Sequence, residues 1–184
     1  GPVQLAFVDL VVPVAGIPIQ VVRRYDSRDK TVGEFGHGWR LDLAVGSLQH
    51  NRAVGSGWNI TQPPGAFVFP CTLIEELEAH ETEVRLSERE FYVFRPRLVN
   101  LFPIVGGCQG AVIYDQVDGT TSGATLDILL DFEFVYVHGS ETLRDIDTLQ
   151  PFTPGEARLT TADGRIVDLD VSRGVTAIED LNGN

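Results

Sequence analysis

Apolar and polar residues alternate along much of this 184-residue chain. Trp39, Leu41, Leu43 and Val45 are interleaved with Arg40, Asp42 and Ala44. From Leu126 the same period places Leu126, Ile128, Leu130, Phe132, Phe134 and Tyr136 on one face, with Asp127, Leu129, Asp131 and Glu133 opening the other. A period of two marks a strand with one face buried and the other wet, so one continuous strand is predicted over 126–136. Further strands are predicted over 3–12, 17–26, 66–69, 90–95, 111–116, 157–161, 165–171 and 174–179. Only TLIEELEAHE (72–81) has helix-forming composition, and one short helix is predicted there.

The punctuation between these runs is hairpin chemistry. Asp163-Gly164 separates two strands and supplies the positive φ that a tight turn demands. Ser172-Arg173-Gly174 and Asn182-Gly183 follow at short intervals with no helix between them. DGTTSG (118–123) links two more strands, and the polar run 140–156 is expected as a long surface loop. The pattern predicts an all-β fold of antiparallel hairpins, arranged as a curved sheet or an open barrel or sandwich, in one domain over 3–184. Gly1-Pro2 has the look of a remnant of tag removal, and the chain contains no Met, so the natural protein is expected to be longer.

Composition narrows the function. Hydrophobic residues make up 43%, which excludes a disordered chain. No run approaches the roughly 20 apolar residues of a membrane-spanning helix. The net charge is −12 and uneven: residues 1–60 hold six basic and five acidic side chains, residues 61–184 eight and 21. Phosphate binding needs a basic face, so nucleic acid is not an expected partner. An acidic surface favours solubility, and it also raises calcium as a ligand to test.

Several residues have the right chemistry for a site. Asp26, Ser27 and His37 are the types of a hydrolytic triad. Adjacent residues on a strand point to opposite faces, however, and no Gly-x-Ser-x-Gly elbow is present. GEFGHG (33–38) lacks the Lys of a phosphate loop and is followed by the alternating strand from Trp39, not by a helix. The expected role is a turn: Phe35 and Trp39 fold back onto the core beside Tyr25, while Asp26 and Ser27 bond the turn backbone. The acidic pairs Asp145/Asp147, Asp168/Asp170 and Asp180/Asn182 do not complete a calcium loop. Glu75, Glu76 and Glu78 are expected on a solvated face. His37, His50, His80 and His138 have no metal spacing. Trp58 could stack on a sugar, with core or turn packing the ordinary alternative. Cys71 and Cys108 lack zinc spacing and are taken as isolated small hydrophobes, a single bridge in an exported protein being the alternative. No catalytic, cofactor-binding or metal-binding residue is therefore predicted, and no enzyme activity.

Two parts of the chain resemble a known family. ARLTTADGRIVDLDVSRGVTAIEDLNGN (157–184) is similar to one unit of the Rhs/YD-repeat family, through Asp163-Gly164-Arg165 and Asp180-Leu181-Asn182-Gly183-Asn184. Leu169-Asp170 stands where the unit has its tyrosine-aspartate pair. Gly16-Ile17-Pro18-Ile19, Arg24-Tyr25-Asp26-Ser27 and the run from Gly33 to Trp39 resemble the segment before the repeats, with a fainter likeness in residues 90–94. The resemblance implies a bacterial, secreted or cell-surface protein whose repeats wind into a hollow β-shell around a toxic polypeptide, or support adhesion. This chain would be a structural segment that begins or caps such a shell, with 3–156 before the repeats and 157–184 as a first unit. Its implied partners are the remainder of the shell and an enclosed polypeptide. The alternative is an adhesin-like β-module that binds carbohydrate or a surface protein.

Overall fold

The computed structural model describes residues 1–14, 17–33, 35–44, 46–60, 74–105, 107–130, 132–137 and 140–179. The predicted strand at 66–69 lies outside them, as do Cys71, His138, Asp180 and Asn182. Among the described residues the strands are β1 (Gln4–Val14), β2 (Ile17–Asp26), β3 (Val32–Gly33), β4 (Gly36–His37), β5 (Trp39–Ala44) and β6 (Ser47–His50). They continue as β7 (Trp58–Ile60), β8 (Ile74–Glu76), β9 (Thr82–Ser87), β10 (Glu90–Ile104), β11 (Gly107–Gly119) and β12 (Thr125–Ile128). The last are β13 (Glu133–Val137), β14 (Leu143–Asp145), β15 (Glu156–Thr160), β16 (Ile166–Asp170) and β17 (Gly174–Glu179). All pairings are antiparallel, as predicted, and one sheet curls into half a barrel.

Three sheets carry the architecture: β1-β2-β5, the six-stranded β14-β13-β11-β10-β9-β6, and β12-β15-β16-β17. In the six-stranded sheet β9 alternates strictly, and β11 less so, with Gly110, Ala111 and Val112 buried in succession. Thr82, Val84 and Leu86 of β9, Tyr92 and Phe94 of β10, and Cys108, Val112 and Tyr114 of β11 are buried. The opposite face is wet and laced with ion pairs, Arg97–Asp115 at 2.6 Å and Arg95–Glu81 at 3.0 Å. Such one-sided burial is how an antiparallel sheet covers a core while facing water.

That buried face feeds two cores. Val84, Phe94 and Tyr114 pack against Leu126, Leu159, Val167 and Leu169 of the four-stranded sheet. Further along the sheet, Cys108, Val112, Phe134 and Tyr136 enclose Val54, Trp58, Leu143 and Phe152. The hairpin of β15 and β16 turns at Asp163-Gly164, where Thr161 N donates to the Arg165 carbonyl at 2.9 Å and Gly164 has φ 88°. Asp170 caps the next turn by accepting from Ser172 N and Arg173 N, both at 2.8 Å.

Four expectations are corrected. The strand predicted over 126–136 is two strands in two sheets. The chain crosses between them at 129–132, where Leu129 N donates to the Glu156 carbonyl and Val112 N to the Phe132 carbonyl. Leu130 and Phe132, placed on the buried face by period, are 60% and 49% exposed. The helix predicted over 72–81 is absent from its described residues, 74–81: Ile74–Glu76 is β8, paired with Trp58–Ile60. Its acidic residues sit on the wet side, while His80 is drawn into the core. The segment 140–156 is not only surface loop, because Leu143 and Phe152 are fully buried in the second core, where Phe152 N donates to the Leu143 carbonyl at 2.9 Å. Cys108 is disulfide-bonded rather than an isolated hydrophobe.

Candidate interaction surface

The turn between β2 and β5 ties down the N-terminal sheet. Ser27 N donates to the Val3 carbonyl at 3.0 Å, and Ser27 Oγ accepts from Val3 N at 2.9 Å. Asp26 accepts from Arg28 Nη2 at 2.8 Å, from Gln4 Nε2 at 2.9 Å and from Arg28 N at 2.9 Å. The Arg28 guanidinium, then Gln4, hold its carboxyl far below the usual aspartate range. Asp29 is lowered too, by the backbone and hydroxyl of Thr31.

The turn's glycines have steric reasons. A Cβ on Gly33 would overlap the Trp39 carbonyl. Gly38 has φ 74°, donates to the Thr31 carbonyl, and would set a Cβ 2.6 Å from the Asp26 carbonyl oxygen. Only glycine fits such close backbone approach.

The triad-like residues are not brought together. Asp26 and Ser27 are engaged in the turn, and exposed His37 places Nδ1 3.4 Å from the Lys30 carbonyl. Trp39 does meet Tyr25, as expected, with ring centroids 5.2 Å apart, but it belongs to neither core. Phe35, however, does not fold back onto a core. It is 48% exposed and lies beneath the Arg23 guanidinium, 5.2 Å from its ring centroid. Arg23 also reaches Trp39 at 5.9 Å and Phe7 at 6.0 Å, and Asp9 holds it through bonds of 2.6 and 2.7 Å. That ion pair raises the Arg23 pKa. A cation among aromatic faces is attracted by the ring quadrupoles.

Phe7, Arg23, Phe35, Trp39 and Leu41 therefore form an outward aromatic and cationic patch on one face of the sheet. The other face carries a shallow depression of about 260 Å3 lined by Gln4, Ala6, Arg24, Asp26 and Arg40. Asp9 and Phe7 were not singled out in the sequence. The signal for them was the near-continuous apolar run of residues 3–12, which does not alternate.

The remaining candidates are structural. Trp58 is buried, stacks on His80 at 4.9 Å and donates Nε1–H to the Val54 carbonyl, so it offers no sugar platform. His80 lies between Glu76 Oε1 at 3.0 Å and the Ser56 carbonyl at 2.7 Å. Glu78 pairs with Arg52, and Glu75 is exposed on β8. His50 bridges Thr82 Oγ1 at 2.8 Å and the Pro154 carbonyl at 3.1 Å, with burial pushing its pKa down. Asp145 Oδ1 accepts from Thr148 N, Thr148 Oγ1 and Asp147 N, and Asp168 pairs with Arg158. No group of three metal-ligating side chains occurs among the described residues. No helix among them is long and apolar enough to cross a membrane.

A family model described as a domain of unknown function (DUF6531) matches residues 1–50. The match takes in the whole N-terminal sheet and its turn. No curated protein and no solved structure matches the chain.

Proposed function

We propose that this chain is a structural, non-catalytic segment that begins or caps a YD-repeat β-shell in a large exported bacterial protein. The observation that carries the reading is the hairpin unit β15-β16-β17. Its strands are built on the Asp163-Gly164 and Arg173-Gly174 turns, and β17 has one partner among the described residues. Each hairpin adds two strands to a ladder whose outer edge can accept the next. The unit is also joined to the six-stranded sheet: Arg165, from the repeat-like turn, pairs with Glu90, which accepts the Tyr92 hydroxyl at 2.8 Å.

Burial of Tyr92, Phe94, Phe134 and Tyr136 beneath a sheet supports a shell wall over a lectin-like groove, which would present aromatics beside polar groups. The family match over residues 1–50 is compatible with a segment that precedes repeats. The test is to extend the chain by two or three hairpin units of its own downstream sequence and to solve that structure. The proposal expects β17 to pair with the next hairpin and the melting temperature to rise. A downstream segment that folds as a separate body, leaving β17 unpaired, would contradict it.

A second reading rests on the patch of Phe7, Arg23, Phe35 and Leu41. An adhesin-like module would use that face to bind carbohydrate or a surface protein. Replacing Phe35 and Arg23 would then abolish binding to the target while the fold persisted.

A further inference from the structure

The acidic pairs Asp145/Asp147 and Asp168/Asp170 complete no calcium loop, but the fold brings one member of each to the same place. Asp145, the last residue of β14, and Asp170, the last of β16, line a cleft of about 400 Å3 together with Glu156, the first residue of β15. Leu130, Pro151, Phe152 and Pro154 give it an apolar wall. Around the cleft Leu130 and Leu149 are more than half exposed and Val171 nearly half. It lies where the segment 140–156 meets the four-stranded sheet, joined there by Leu129 N to the Glu156 carbonyl and Val171 N to the Gly155 carbonyl.

The charges in this cleft do not balance. Asp145 is 8% exposed and is held by neutral donors, all on Oδ1: Thr148 Oγ1 at 2.6 Å, Thr148 N at 2.7 Å and Asp147 N at 3.2 Å. The Thr148 hydroxyl, then its backbone amide, keeps the carboxyl below the usual aspartate range, so it is ionised at neutral pH. Oδ2 is closed from solvent and receives no hydrogen bond. No cation among the described residues pairs with Asp145. A buried charge is ordinarily paired and fully bonded, so Asp145 marks the place of a donor that the described residues do not supply. At the rim Arg173 reaches Glu156 Oε1 at 3.1 Å and Asp170 Oδ2 at 3.2 Å, but its side chain is 62% exposed, and one guanidinium stands against three carboxylates. Arg144 is turned to the Leu149 carbonyl at 2.9 Å.

We propose that this cleft is a docking site for a partner polypeptide, from which it takes an arginine side chain flanked by an apolar residue. A guanidinium is planar, weakly hydrated and presents its donors as a fork that suits carboxylate oxygens, while its stem packs along an apolar wall. The apolar neighbour covers the exposed leucines of the rim. The cleft has the size of a site for an organic group. A bare metal ion fits it poorly, since no group of three metal-ligating side chains occurs among the described residues. The net charge of −12 disfavours a second copy of this chain, nucleic acid and anionic lipid as occupants, because each brings like charge to an acidic surface.

NMR titration of the whole isotope-labelled chain tests this with acetyl-Leu-Arg-Leu-amide, set against the same peptide carrying citrulline in place of arginine. Citrulline keeps the size of the side chain and loses its charge. The expected result is saturable shifts of the amides of Asp145, Thr148, Gln150, Glu156 and Asp170, with the citrulline peptide bound at least about tenfold more weakly. Glu156→Gln weakens the arginine peptide by about threefold and leaves the melting temperature unchanged, since the ion pair it removes is a solvated one. Glu75→Gln, which removes an exposed carboxylate from β8, leaves binding as it was. Leu130→Ser weakens both peptides alike. A titration without saturable shifts, equal affinity for the two peptides, equal effects of Glu156→Gln and Glu75→Gln, or shifts at these residues from calcium chloride and none from the peptide would each overturn the proposal.

Discussion

The N-terminal sheet and the six-stranded sheet use the same backbone and opposite surface logic. In β9 and the first half of β10 every second residue is buried, and charged residues of the other face pair in water. In β1 apolar residues occupy both faces and the edge, and all are half exposed. The first arrangement belongs to a wall with an inside and an outside. The second leaves β1 bare on both faces. Strand pairing alone therefore does not fix burial; what packs on each face of the sheet does.

The sharpest way to break the comparison is to truncate one phenylalanine in each region. Phe94→Ala, in a fully buried site, is expected to cost about 3–5 kcal/mol in urea unfolding. Phe7→Ala, half exposed, is expected to cost under about 1 kcal/mol. Equal costs would mean that the N-terminal sheet has a core of its own. Next in size, Cys108→Ser is expected to lose about 2–4 kcal/mol, through the lost crosslink. Gly38→Ala should cost about 1–3 kcal/mol, because a side chain must occupy positive φ against the Asp26 carbonyl. Amide exchange would locate that loss in β1, β2 and β5, leaving the six-stranded sheet protected.

Mild acid separates the regions more gently. Burial keeps the His50 pKa below its ordinary value, so the unfolded chain binds that proton more readily. Its stabilising contribution is present above about pH 6.5 and is lost as pH falls below it. A melting series from pH 7.5 to 5 should show this decline, and His50→Gln should flatten it. Asp26 acts lower. Its depressed carboxyl contributes stability above about pH 3.9, which disappears as pH falls further. Asp26→Asn should remove that lower-pH limb from the N-terminal sheet and leave the His50 limb in place.

The strand class was legible because alternation and Asp-Gly turns are local. Ile17–Asp26 and Gly174–Glu179 agree with the predicted bounds to the residue. What was not legible depends on contacts distant in sequence. Nothing in the period of 126–136 says that Leu126 joins one core and Phe134 another, since the alternation persists through the crossing. Leu143 and Phe152 sit in a polar segment whose neighbours advertise a loop, yet they fill the second core. The acidic run at 72–81 favours helix by propensity, but pairing of Ile74–Glu76 with Trp58–Ile60 overrides it. At the candidate surface, the glycine-rich turn was readable, whereas the Arg23–Phe35 contact required knowing that the turn carrying Phe35 lies over the sheet face that presents Arg23.

The central proposal is that β17 offers its outer edge to a further hairpin of a shell wall. Residue-resolved amide exchange on β17 tests it most directly, in the chain as given and again when two further downstream hairpin units are attached. In the chain as given, alternate amides of Gly174–Glu179 should exchange fast, because those that do not bond β16 face solvent. In the extended protein the same amides should become as slow as those of β16. Amides already protected along both edges of β17 without the extension, or no gain in protection with it, would contradict the account.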